Sequence, residues 1–295
     1  MLYKEFAIEP NQIRDIGDLR LLEARFGYDK GALISSFPSK WFKAVLASLR
    51  AMNDDHRVDS LTDILRDIRE KALHRYSRDY DSDNWLTAAK SSHEVKPFHR
   101  ILESTLSEPP VFIGSLDNLE NNDFDLITHC TRTASDMPAV VETLLSGAEK
   151  VTLVDPYACV TKSGYKKTLL ALMRKCQKPD VTFVVFSKEA GKSDWASRKI
   201  ALNTFAQQLP ANITIHWCSL DDGGTGFLHN RFIFTAKGGI NFDRGFDEPS
   251  DRDQKQSRND LNPLSINHLN EYTQTYNTAQ LTAPLTLAQP IWRSK

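Results

Sequence analysis

The sequence has no long apolar run: no stretch approaches the roughly 20 consecutive apolar residues that a membrane-spanning helix needs. The first ten residues, MLYKEFAIEP, carry charges at once and lack an apolar core, which is not the pattern of a secretory leader. We therefore expect a soluble, cytoplasmic chain with no transmembrane segment.

Cysteine and net charge are also scarce. The four cysteines form no CxxC pair and have no histidine at zinc-finger spacing, so we expect buried, reduced thiols, no metal site and no cofactor. Lys and Arg total 37 and Asp and Glu total 38, for a formal net charge of -1. This balance argues against a chain that is basic throughout and coats nucleic acid indiscriminately. A local basic face remains compatible with it.

The first part of the chain has the periodicity of helices. A length of 295 residues with 40% hydrophobic content suits two domains with packed cores. Apolar residues recur at helical spacing in five stretches, over 11–26, 39–49 and 58–76, around Trp85, and over 98–106. We predict a mainly α-helical N-terminal domain over residues 1–108, with Trp41 and Trp85 anchoring its core.

The second part, residues 109–295, alternates strand and helix patterns. Strands are predicted at 111–114, 151–154, 181–186 and 213–218, with helices at 137–147, 164–176 and 193–209. This order is typical of an α/β sandwich with a mixed sheet. The composition of residues 248–260 predicts a mobile loop. For the polar tail over 261–295 the pattern does not distinguish a strand from a helix, and we expect its end to be extended and held by Trp292.

One stretch of this second part, residues 227–247 (FLHNRFIFTAKGGINFDRGFD), predicts a strand, a Gly238-Gly239 turn and a second strand. On the first strand His229 and Arg231 stand two residues apart, so we expect both on one face. An imidazole beside a guanidinium is a plausible seat for a phosphate oxygen, and Arg244 follows the second strand. The alternative is that His229 fills a half-buried face while Arg231 extends to water.

The same stretch resembles a known family. His229 and Arg231 are similar to the phospholipase D signature, His-x-Lys with an Asp seven residues after the His, where this chain has Ala236. More closely, LHNR, the Gly-Gly turn and DRGFD resemble the phospholipase-D-like domain that follows MIT domains in ESCRT-associated eukaryotic proteins. The segment VTLVDPYA, at 151–158, resembles a strand end of that domain. The resemblance covers 136–247 and implies a phospholipase-D-like fold.

For the eukaryotic relatives the resemblance implies phosphoinositide-membrane binding and self-association. The lipid is not carried over, because a different region replaces the MIT half here. Three segments of that region, EFAIEP, FPSKW and DNWL, resemble bacterial proteins from multi-gene clusters that include the phospholipase-D-like domain. This resemblance assigns no role to the region. The adaptor hypothesis places the chain in a larger, phage-defence-like system, with protein partners bound through the N-terminal region.

Catalysis is one hypothesis. In phospholipase D enzymes a His forms a phosphohistidine while cationic and amide groups hold the non-bridging oxygens, and a second motif supplies the general acid. His229 and Arg231 are the candidate catalytic residues, and a homodimer would bring two copies of His229 together. Ala236 cannot orient the imidazole, so Asp155 is the candidate replacement for the missing carboxylate.

Binding without catalysis needs only the cations. The candidate phosphate-binding residues are His229, Arg231, Arg244, Asp155, Lys166 and Lys167. Further cations would extend them into a salt-sensitive basic patch, namely Lys162, Arg174, Lys175, Lys188, Lys192, Arg198 and Lys199. The alternative is that these side chains only keep outer helix faces soluble.

Three hypotheses therefore remain open. The chain is a phosphate-binding adaptor for nucleic-acid backbone or anionic lipid, a metal-independent phosphodiesterase or nuclease working as a dimer, or a purely structural subunit.

Overall fold

The computed structural model describes residues 2–52, 55–74, 78, 82, 84–103, 111–189, 191 and 193–294. The chain forms two compact units, Tyr3–Leu126 and Ile127–Lys295, and Met1–Leu2 belongs to the second. The boundary predicted from sequence, between residues 108 and 109, precedes this division. Two predicted features lie outside the described residues: the helix cap at Asp81 and Asp83, and the helix stop at 109–110.

The N-terminal unit contains a parallel sheet. Its strands are β1 (Lys4–Ile8), β2 (Ala32–Ser35), β3 (Leu73–His74), β4 (Arg100–Leu102) and β5 (Phe112–Ile113). Their order is β3-β2-β1-β4-β5, and each neighbouring pair is parallel. The helices are α1 (Ile16–Arg25), α2 (Trp41–Met52), α3 (Asp55–Lys71) and α4 (Trp85–Val95). The expected mainly α-helical domain is thus corrected to an α/β unit.

The error has a physical cause. Parallel strands covered on both sides are short, continuously apolar segments that lack the alternation by which strands are recognised. β2 (ALIS) is buried at every position, and β4, also largely buried, lies inside the stretch predicted as a helix over 98–106. α1 begins after Asp15, whose carboxylate accepts the N–H groups of Gly17 and Asp18, rather than at the predicted cap Asn11.

Both faces of this sheet are packed. Phe6 and Ile8 join a core formed with α1, α2 and α3, whereas Ala7 and Ile101 join a smaller core with Phe37 and α4 residues. Trp41 is fully buried and its indole N–H donates to the carbonyl of Ile8 at 2.7 Å. The indole of Trp85 donates to Phe37 at 3.2 Å. Both tryptophans anchor the core, as predicted.

The second face also holds a buried polar cluster. Glu5 and Arg78 form an ion pair at 2.7 Å with almost no exposed side-chain surface, and Ser35 donates to Glu5. His74 lies at the end of β3, where its ring nitrogen Nδ1 is 3.0 Å from the Tyr28 hydroxyl. Burial lowers the pKa of His74 to about 4; the negative charge of Glu5 opposes this shift, and the positive charges of Lys96 and Arg78 add to it.

The C-terminal unit contains a mixed sheet with these strands: β6 (His129–Thr131), β7 (Lys150–Val154), β8 (Val181–Lys188), β9 (Ile213–Asp221), β10 (Phe232–Phe234), β11 (Gly239–Phe242), β12 (Arg258–Pro263), β13 (Thr286–Leu287) and β14 (Trp292–Arg293). The order is β13-β9-β8-β7-β10-β11-β12-β6, and β14 also pairs with β9. β7, β8 and β9 are parallel, while the other pairs are antiparallel. The predicted α/β class with a mixed sheet is confirmed.

The helices of this unit are α5 (Asp136–Ser146), α6 (Ser163–Met173), α7 (Trp195–Ala206), α8 (Arg252–Gln256) and α9 (Ile266–Thr275). One face of the sheet packs against α9 and the segment that follows it, through Phe186, Phe232 and Tyr276. The loop predicted over 248–260 is wrong, because α8 and the start of β12 occupy it. Asp251 caps α8 by accepting the N–H of Gln254.

The tail ends as a strand at the sheet edge. β14 pairs with β9 through Trp292 opposite Trp217 and Arg293 opposite His216, and the indole of Trp292 donates to Asn203 at 3.1 Å. The sequence expectation of a tail pinned by its tryptophan is confirmed. Cys130, Cys159, Cys176 and Cys218 are unpaired and buried. Among the described helices, none has the length and apolarity required to cross a lipid bilayer.

Candidate functional site

The two segments that carry the resemblance meet at Asp155, directly after β7. Its carboxylate is fully buried and accepts the backbone N–H of Tyr157 at 2.8 Å, the backbone N–H of Phe246 at 3.2 Å and the Tyr165 hydroxyl at 3.0 Å. Burial raises the pKa of Asp155, and these hydrogen bonds, together with the charge of Arg231, oppose that increase. Asp155 therefore fastens residues that are far apart in the chain and has no open access to a ligand.

Strand register places Arg231 beside this carboxylate. Phe232 pairs with Val154 in the antiparallel β10–β7 ladder, so the residues just outside the pair, Arg231 and Asp155, are neighbours. Gly245 lies against both with φ +71°, and a Cβ there would come within 2.6 Å of the Arg231 Cδ and of an Asp155 oxygen. Glycine is required on both counts, backbone conformation and space.

The Arg231 side chain is held in place. One of its guanidinium N–H groups donates to the carbonyl of Asp243 at 2.6 Å, and the guanidinium lies over the Tyr157 ring, 5.1 Å from its centroid. Cation–π stacking of this kind orients both partners. Arg231 is thus part of a rigid assembly that presents the Tyr157 ring, rather than a free cation.

His229 is not on the strand, which corrects the expectation that His229 and Arg231 share a strand face. β10 begins only at Phe232, and His229 lies in an exposed turn where its Nδ1 is 2.7 Å from the carbonyl of Gly226. A carbonyl can only accept, so Nδ1 carries the hydrogen, and a neutral ring then leaves the Nε2 lone pair available. Asp155 does not orient this imidazole, so its predicted role as replacement carboxylate is wrong.

The turn that carries His229 is built around the buried carboxylate of Asp222. It accepts the N–H of Leu228 at 3.2 Å and of Gly224 at 3.2 Å, and it pairs with Lys188 at 2.9 Å. The Lys188 hydrogen bond, followed by these N–H groups, lowers the pKa of Asp222 despite its desolvation. Glycines with positive φ before His229, including Gly224 and Gly226, allow the tight path. This clustering of glycines interrupts the strand that alternation alone predicts.

A pocket of about 350 Å³ opens beside this turn, at the carboxyl ends of β7 and β8. Ligands of open α/β sheets bind outside the carboxyl ends of parallel strands. The pocket is lined by Pro156, Tyr157, Thr161, Lys162, Lys188 and Leu228, among others. Leu228 is the neighbour of His229 and Tyr157 is the partner of Arg231, so both predicted residues border this pocket without lining it.

Asp247, the last residue of the segment over 227–247, lies at the start of α6. It accepts the backbone N–H of Tyr165, and burial raises its pKa while the charges of Lys162 and Arg132 oppose this. Gly164 leaves no room for a side chain, because a Cβ would collide with Asp247 and Glu248. The N-terminus of α6 is therefore capped by a side chain of the protein itself.

The remaining predicted cations do not form one patch. Lys167 pairs with Glu248, Lys175 with Glu142 and Arg198 with Glu189. Arg198 has only 3% of its surface exposed, so its assignment to a basic surface is wrong. Pairing with carboxylates leaves these groups little net charge to offer a phosphate.

Five predicted cations of the described ranges form no such ion pair, and two of them, Arg174 and Lys199, are not among the residues that line the pocket. Within the described ranges, the side chains of Lys162, Lys166 and Arg244 form no ion pair within 4 Å, and Lys162 lies at the pocket. Arg244 is exposed and its backbone N–H donates to Asn259. Lys192 lies outside the described residues.

Sequence reasoning missed Tyr157 and Asp222 as parts of the site. A signal for Tyr157 was present, because it directly follows Asp-Pro at the end of a buried strand, where side chains of open α/β sheets face ligands. Asp222 had a weaker signal, an aspartate two residues before paired glycines. Across the part of the chain that the structure describes, no group of three or more His, Cys, Asp or Glu side chains is placed to hold a metal ion.

Fold and site together define an α/β protein with a mixed sheet and a polar pocket at the carboxyl edge of its parallel strands. No model of a known protein family matches the sequence, and no curated protein matches it.

Proposed function

We propose that this chain binds phosphate groups at the carboxyl edge of its C-terminal sheet and acts as a non-catalytic adaptor or scaffold subunit. The observation that carries the proposal is the pocket at the carboxyl ends of β7 and β8, which Lys162 lines and which His229 borders through its neighbour Leu228. A lysine ammonium is a donor suited to phosphate oxygens, and an imidazole whose Nδ1–H is already bonded donates from Nε2 when the ring is protonated. Nucleic-acid backbone and lipid headgroups offer the same phosphate chemistry.

The wider context of the proposal rests on resemblance. A degenerate phospholipase-D-like domain and self-association are the parts of the proposal that residues Val151–Ala158 and Phe227–Asp247 support. Protein partners bound through the N-terminal unit and a place in a bacterial phage-defence-like system are further parts of the proposal, which go with the resemblance of the N-terminal segments EFAIEP, FPSKW and DNWL. The close approach of Val151–Ala158 and Phe227–Asp247 at Asp155 agrees with their belonging to one site.

The test is binding of the full chain to labelled single-stranded DNA, to RNA and to phosphoinositide vesicles, each with and without EDTA. We expect His229→Ala to weaken the preferred ligand about fivefold, the loss of about 1 kcal/mol for one hydrogen bond. His268→Ala, at an exposed histidine of α9, is the matched control.

Salt provides a second readout of the same proposal. A site with two or three phosphate contacts on a chain of net charge -1 should give a slope of log affinity against log salt of about -2 or shallower on single strands. Equal affinity of the wild type and His229→Ala for all three ligands would contradict the proposal and favour a purely structural subunit.

A metal-independent phosphodiesterase remains the second candidate, favoured by one observation. The hydrogen bond from Nδ1 of His229 to Gly226 directs the lone pair of Nε2 outward, as a nucleophile requires. A carbonyl stabilises the developing imidazolium less than a carboxylate does, so slow turnover is expected. Acid-labile phosphate trapped on His229 after incubation with a phosphodiester in EDTA would establish catalysis. Its absence, with phosphate ligand still bound, supports the adaptor.

A further inference from the structure

The pocket at the ends of β7 and β8 has two unlike walls. Tyr157, Pro156 and Leu228 supply aromatic and apolar surface, whereas Lys162 and the Thr161 hydroxyl supply a cation and a hydrogen-bonding group. Its volume of about 350 Å³ lies at the lower end of the range of roughly 300–1,000 Å³ for small-molecule sites. A ligand that satisfies both walls is one small unit with a flat apolar part and an anionic part.

The Tyr157 ring is a prearranged stacking platform. Its side chain is 56% exposed although it is a large aromatic group, and the Arg231 guanidinium covers one face of the ring. Both ends of this arrangement are fixed, since the Tyr157 backbone N–H donates to Asp155 and Arg231 donates to Asp243. A ring held in place loses little conformational entropy when a planar group stacks on it. Stacking of a nucleobase on an aromatic side chain contributes about 1–3 kcal/mol.

The charge of the pocket suits a single phosphate. Lys188 is neutralised by Asp222, which leaves Lys162 as the principal cation of the lining. Lys162 also acts on Asp247 across the start of α6, but that carboxylate already accepts a backbone N–H. One cation balances the single charge of a phosphodiester and at least half that of a phosphate monoester, and it would leave most of the charge of a triphosphate uncompensated.

We propose that the pocket binds one nucleotide, with the base against the Tyr157 ring and its phosphate at Lys162. This inference rests on the proposed phosphate-binding function and specifies its ligand. A free nucleoside monophosphate and one residue of a single strand share this chemistry. An inositol phosphate lacks the flat base, so it leaves the Tyr157 platform unused.

The test is titration of the full-length protein with AMP, ribose 5-phosphate, inositol 1-phosphate and a ten-residue oligothymidylate. We expect AMP to bind at least fivefold more tightly than ribose 5-phosphate, which corresponds to about 1 kcal/mol of stacking. Tyr157→Leu should remove this difference, and Tyr157→Phe, which keeps the ring, should preserve it. Lys162→Met should weaken AMP about fivefold, whereas Lys199→Met, at an exposed lysine of α7, should not.

The outcomes distinguish a failure of the nucleotide assignment from a failure of the proposed phosphate-binding function. Equal binding of AMP, ribose 5-phosphate and inositol 1-phosphate, still dependent on Lys162, overturns the nucleotide assignment and leaves phosphate binding intact. If none of the phosphate compounds binds at millimolar concentration, in tenfold excess over the protein, both the nucleotide assignment and the proposed phosphate-binding function are overturned. Tighter binding of the oligothymidylate than of AMP identifies a strand as the source of the nucleotide, and equal binding identifies the free nucleotide, either of which supports the pocket assignment.

Discussion

Asp155 shows how much of the site depends on single residues. Its buried carboxylate ties the end of β7 to Phe246 and to the start of α6, and it lies beside Arg231. A buried carboxylate is costly unless its oxygens accept hydrogen bonds, and three donors supply them here. The aspartate is therefore a positioning residue, and the groups left to meet a ligand are the ones around it.

Gly245 offers a test of this tight packing. Gly245→Ala adds a methyl group against Arg231 and Asp155 at a position with φ +71°, so we expect the free energy of unfolding to fall by about 3 kcal/mol from backbone strain and overpacking. Gly223→Ala is the matched control, because Gly223 has φ +60° with nothing within 4 Å; a loss of only about 1 kcal/mol is expected there. Urea unfolding measures both. Equal losses would mean that the contacts at Gly245 contribute nothing.

Sequence reasoning at this scale identified residues better than their contacts. His229 and Arg231 do border the pocket, because a histidine and an arginine at a loop–strand junction are rarely buried. Their directions could not be predicted, since they depend on glycines at 223, 224 and 226 with positive φ and on the distant carbonyl of Asp243. Arg198 was misassigned because its partner, Glu189, lies on a different element.

Among the secondary-structure elements, the tail has the clearest consequence for stability. β9 lies near the edge of the sheet, and β13 and β14 cover its outer side. Covering an edge strand satisfies backbone groups that otherwise attract other chains. The fully buried Cys218 lies on β9, and burial raises the pKa of its thiol to about 12.

Removing the Trp292 side chain, which holds the tail against the sheet, should open the edge at β9 locally. Trp292→Ala deletes the bond to Asn203 and the cross-strand contact with Trp217, so we expect labelling of Cys218 by a thiol reagent to become about tenfold faster, for a loss of about 1.4 kcal/mol. Mass spectrometry of the labelled peptides provides an internal control in Cys130, on β6 at the opposite end of the sheet. If both thiols accelerate equally, the unit opens as a whole and the local interpretation is wrong.

Elements with a strong periodic pattern were predictable from the sequence. The elements that were missed depend on burial and strand pairing, which periodicity does not report. α5, α6 and α7 were placed within a few residues, since each has one apolar face against the sheet. β4 was predicted as a helix because a short, buried parallel strand has no alternating pattern. α8 and β12 lie in a charged stretch, and β12 is held by pairing with β6 and β11, which local sequence does not reveal.

On the scale of the whole molecule, the two units differ in how they respond to acid. The N-terminal unit contains His74 and His99, and burial lowers the pKa of each to about 4. In the C-terminal unit, burial lowers the pKa of His216 in the same direction. A histidine kept neutral by the fold takes up a proton on unfolding, so its contribution is complete above pH 6.5 and is lost as the pH falls from 6.5 toward 4.

We therefore expect the N-terminal unit to lose stability first as the pH falls. Between pH 6.5 and 5, His74 alone should reduce the protection of β2 amides against hydrogen exchange about tenfold, after correction for intrinsic rates, at about 1.4 kcal/mol for each unit of pKa. His74→Gln should remove most of this pH dependence, while His268→Gln, on α9, should preserve it. Protection of β2 that stays constant from pH 6.5 to 5 would contradict the assignment.

The pairing of β6 with β12 has a consequence for synthesis. Cys130 lies opposite Asn259 in this ladder, so β6 leaves the ribosome long before the strand that completes it has been translated. The segment Tyr3–Leu126, by contrast, contains both partners of every pair in its own sheet. During translation the first unit can therefore complete its sheet before β12, the strand that pairs with β6, has been synthesised.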